Sequence, residues 1–132
     1  MAKVPEKDVS QIGISPAGQS QIEEMKKNGL IARDLDGYRL AVATAIAFNR
    51  VPFEKKAPPS RTTKYAINSV DPDQALRTIV VEVYPESRGV PYRAIEDLAD
   101  QGLEILGKHA EGDELWLGEL IAKLEEANEV SR

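Results

Sequence analysis

The chain has no cysteine and one histidine, His109. Disulfides, thiolate metal sites and cysteine nucleophiles are therefore excluded. Aromatic residues are also scarce, with two Phe, one Trp and four Tyr. The core must rest on aliphatic packing, and few rings are left to stack on bases or sugars. The longest apolar run, Leu40 to Phe48, is interrupted only by Thr44. It falls well short of the roughly 20 residues that a membrane-spanning helix needs. Met1-Ala2-Lys3-Val4-Pro5-Glu6 has no apolar stretch of the secretory-signal type. These absences lead to the expectation of a soluble, cytoplasmic protein with no membrane partner.

Leu, Ile, Val and Phe make up a quarter of the 132 residues. That is above the level at which a chain fails to bury a core, and the length suits one domain spanning 1–132. Charge is uneven. Residues 1–64 carry 11 Lys and Arg against 7 Asp and Glu, whereas residues 65–132 carry 6 against 15. Such a split suits a polyanion partner for the basic half, an attraction between halves of neighbouring subunits, or solubility alone.

Along the chain, residues 1–8 are polar and read as a flexible end. Val9 to Ile14 offers a short strand with Ile12 and Ile14 on one face. Ser15-Pro16 reads as an N-cap followed by the first helical residue, and the helix should stop at Gly29. Asp34 can cap a second helix to about Asn49 that is apolar on most sides, as a central or interface helix is. Residues 50–64 read as a Pro-rich basic connector between two helical halves. Asp71-Pro72-Asp73-Gln74 looks like a helix start. Thr78 to Tyr84 suits helix or strand, with helix preferred. Pro91 opens a helix with the stripe Tyr92, Ile95, Leu98, Ala99, Gly102, Leu103 and Leu106, and a last helix would place Trp116, Leu117, Leu120, Ile121, Leu124 and Ala127 together. The expected fold is all-α or mainly α, about five helices in a compact bundle with a short strand at residues 9–14.

Chemical motifs are weak. Gly13 to Ser20 has the glycine spacing of a phosphate-binding loop, but Gln19 stands where the lysine would be. His109 lies near a helix end, where the dipole favours it without further role. The acids Glu96, Asp97 and Asp100 fall off the apolar stripe, where a solvated face is expected. No catalytic residue, metal or cofactor is assigned.

Strand, helix, turn and apolar helix in order over Val9 to Asn49 resemble a ribbon-helix-helix DNA-binding unit. The helix order and the proline-rich segment that follows are also similar to the small accessory protein of DNA sulfur-modification systems. Neither likeness amounts to membership of a family. The first implies paired strands from two chains, with Gln11 at the bases and Arg33, Arg39, Arg50, Lys55 and Lys56 as nucleic-acid contacts. Asp34 and Asp36 would oppose phosphate at the second helix.

The favoured expectation is a small non-enzymatic homo-oligomer or adaptor acting through protein–protein contacts, leaning away from an enzyme. Its interface would draw on Tyr38, Leu40, Ala43, Ala47 and Phe48. The alternatives are the nucleic-acid-binding dimer using residues 9–64, and an enzyme with an unrecognised carboxylate site.

Overall fold

The computed structural model describes residue 5, residues 7–54 and residues 60–110. The expected last helix, Lys55 and Lys56 lie outside the described residues. The fold is mainly α, with a two-stranded antiparallel sheet near the N-terminus. In order come β1 (Gln11–Ile14), α1 (Pro16–Lys27), α2 (Asp34–Ala47), β2 (Thr62–Ala66), α3 (Ile67–Val70) and α4 (Ala75–Val83), then a 3-10 turn (Pro85–Ser87) and α5 (Pro91–Ala110). None of the described helices is long and apolar enough to cross a membrane.

Local chemistry sets the boundaries. Ser15 accepts from the Gly18 N–H at 3.0 Å, and Pro16 takes the first helical position of α1. At the other end Gly29 adopts φ +74°, letting Leu30 N–H reach the Met25 carbonyl and Gly29 N–H the Lys26 carbonyl. That pattern satisfies the last carbonyls of the helix. The end of α2 repeats it with Asn49 at φ 58°, as Arg50 N–H donates to the Ala45 carbonyl.

α5 is the spine. α2 lies along it, and their backbones touch at Gly102, where a Cβ would sit 1.8 Å from the Ala41 carbonyl oxygen. Tyr38, Ala41, Val42 and Ala45 of α2 meet Ile95, Leu98, Ala99, Leu103 and Leu106 of α5 in one core. α1 adds Ile22 and Met25, and β1 adds Ile12 and Ile14. The apolar sides of α2 are therefore covered by its own chain, so they do not by themselves require a second subunit. Tyr38, expected at an interface, is wholly enclosed and donates its hydroxyl to the Gly13 carbonyl at 3.0 Å. Ala47 is buried, while Leu40, Ala43 and Phe48 are half-buried.

Four local expectations are corrected. Residues 50–64 are not only a connector, because Thr62–Ala66 pair with β1 as β2. Ile12 faces Tyr65 and Gly13 faces Thr63, which leaves Lys64 as the extra residue of a bulge. The end of the 1–8 segment is held, since the Asp8 carboxylate accepts from Tyr92 N–H and Arg93 N–H at the start of α5. Asp34 is the first helical residue of α2 rather than its cap, and it pairs with Lys26 at 2.9 Å and Lys64 at 3.4 Å. Asp71 does cap α4, through Leu76 N–H and Arg77 N–H, but across an extra turn in which Gln74 takes φ 61°. Residues 78–83 are helix.

Candidate functional site

The densest polar constellation among the described residues sits where α5, β1 and the segment before β2 meet. α5 offers Glu96, Asp97 and Asp100, which helical spacing places on neighbouring positions of one side. They are not a solvated face: Glu96 is 5% and Asp97 8% exposed. Arg61, mostly buried, crosses over them. Its Nε lies 2.6 Å from Asp100 Oδ2, its Nη2 3.3 Å from Asp97 Oδ1 and its Nη1 3.9 Å from Glu96 Oε1.

Backbone donors complete the cluster. Gly13 N–H donates to Glu96 at 2.6 Å, Ser15 N–H to Asp100 at 3.2 Å and Phe53 N–H to Asp97 at 2.8 Å. The Gln101 side chain donates to the same Asp97 oxygen at 2.9 Å. A Cβ at Gly13 would crowd this approach, lying 3.0 Å from Glu96 Oε2 and 3.2 Å from the Arg61 Cβ. Burial pushes the Glu96 carboxyl up, and the Gly13 N–H and the Arg61 charge only partly offset this. Burial also drives the Tyr38 phenol well up, reinforced by the Glu96 and Asp100 charges. Burial works against the Arg61 charge, but its hydrogen bond to Asp100 and the three carboxylates outweigh that and raise its pKa.

Each carboxylate in the cluster is thus engaged by a guanidinium and by backbone N–H groups. Chemically this is a clasp that fixes separate chain segments on one another. Beside it runs a groove of about 500 Å³ between the start of α1 and the second half of α5. Pro16, Ala17, Leu103 and Gly107 form much of its wall, with Asp97 and Asp100 also lining it. Among the described residues no three His, Asp or Glu side chains gather as metal ligands would.

The residues expected to meet nucleic acid are dispersed. Gln11 is exposed at the start of β1, opposite Ala66. Arg33 pairs with Asp36 at 3.3 Å, and Arg39 donates to the carbonyls of Ser69 at 2.8 Å and Val70 at 3.0 Å. Arg50 is exposed beyond the far end of α2 from Arg33, and the 14 helical residues between them span about 21 Å at 1.5 Å per residue. The edges of β1 are also taken. β2 of the same chain pairs with one, and Gly13 turns its N–H to Glu96 and its carbonyl to Tyr38.

A different surface is left uncovered. α4 carries Leu76, Ile79, Val80 and Val83 at helical spacing, yet only Val80 is buried. Ile79 is 47% and Val83 45% exposed, with Ala75 exposed one turn earlier on the same side. The sequence favours helix over Thr78 to Tyr84, but it does not tell which flank of that helix the core covers. Sequence reasoning noted Glu96, Asp97 and Asp100 but read them as a solvated face, and it did not single out Arg61 as their partner. The signal available was a run of acids, at 96, 97 and 100, beside an apolar stripe that a single arginine could answer. Comparison with family models, curated proteins and solved structures brought no match to this chain.

Proposed function

We propose that the protein is a small non-enzymatic adaptor or oligomer subunit that works through protein–protein contact, a second copy of the chain being the first partner to test. The outward apolar side of α4 carries this reading. Two β-branched residues a turn apart, Ile79 and Val83, expose nearly half their surface on a helix whose Leu76 and Val80 pack against the core. Single exposed apolar residues are ordinary, but a row on one helix face is the usual form of a docking surface. The clasp agrees with this, because its polar groups are spent on holding the fold. Sedimentation equilibrium across 1–100 μM tests the proposal. The wild type should show a mass above one chain that falls on dilution, and Ile79→Glu with Val83→Glu should be monomeric with an unchanged helical spectrum. A one-chain mass for the wild type at 100 μM would count against self-association. A shared oligomeric mass for both would move the interface off α4.

A further inference from the structure

We draw no further inference here: the strongest candidate, the groove between the start of α1 and the second half of α5, has Asp97 and Asp100 already engaged by Arg61 and backbone N–H groups, and nothing in the structure shows what covers its apolar walls.

Discussion

Two residues concentrate the constraints that the sequence places on this fold. Gly102 is the point where α2 and α5 touch, and the atom facing it is a helix carbonyl that has no room to move. Gly102→Ala would ordinarily favour a helix by about 1 kcal/mol. Here it must separate the two main helices, and we expect a loss of about 3 kcal/mol or more in urea unfolding. Gly89→Ala is the control: nothing lies within 4 Å of its added Cβ, so stability should stay within about 0.5 kcal/mol. Glu96 makes the opposite case. Its pKa is raised above 4.5, so the fold favours the neutral acid. Its contribution is therefore fully present below pH 4.5 and is lost as pH rises through the folded value. Glu96→Gln keeps an oxygen for the Gly13 N–H while removing a buried charge from a cluster of three carboxylates and one guanidinium. The variant should be at least as stable as wild type at pH 7, and its stability should vary less with pH just above 4.5. Urea titrations from pH 4 to 7 decide this, and a marked loss at pH 7 would show that the Glu96 charge is needed.

At the scale of elements, legibility followed the range of the forces involved. The ends of α1 could be read because Ser15, Pro16 and Gly29 act on their immediate neighbours. The apolar stripe of α5 could be read because burial follows helical spacing, and Ile95, Leu98, Ala99, Leu103 and Leu106 are all in the core. β2 was hidden. Thr62-Thr63-Lys64-Tyr65 alternates poorly, sits behind two prolines and has a single buried residue, Tyr65. Its place depends on β1, about 50 residues earlier, and on a clasp contributed by α5. The same long range hid the clasp, since nothing local distinguishes Arg61 from the other basic residues of its segment. The count of five helices was reached by a different route: α3 was not anticipated, and the last expected helix lies outside the described residues. Arg61 tests how far one residue ties these elements together. Arg61→Ala would leave three mostly buried carboxylates without their cation, and breaking such a cluster costs about 3–5 kcal/mol. Hydrogen exchange should then speed up in β1 and β2 before α2 and α5. Arg61→Lys should recover only part of the loss, because one ammonium cannot span the three partners that the guanidinium reaches. Equal exchange in both strands with and without the arginine would show that the sheet is held by Ile12, Ile14 and Tyr65 instead.

For the molecule as a whole, the basic first half and the acidic second half meet inside the fold. Arg61 of the first half answers the α5 acids of the second, while Lys26 and Lys64 share Asp34 within the first half. Several cations of the basic half therefore already have partners in the fold, which bears directly on nucleic acid. Binding to duplex DNA needs cations free to replace condensed counterions along one track. Arg39 is committed to backbone carbonyls, Arg33 to Asp36, and Arg50 lies beyond the other end of α2. A ribbon of strands from two chains would need an edge of β1 that β2, Glu96 and Tyr38 already occupy. We therefore expect the intact protein to bind a 20-base-pair duplex at physiological salt no more tightly than the non-specific range of about 10⁻⁴ to 10⁻⁶ M, without sequence preference. Fluorescence anisotropy at several salt concentrations measures this. If weak binding is seen, neutralising Lys55 and Lys56 together should lower the salt slope by about two units and affect all sequences alike. A nanomolar, sequence-selective complex would overturn this account. Arg33 and Arg39 would then have to leave their present partners on binding, and variants of Asp36 that free Arg33 should tighten the complex.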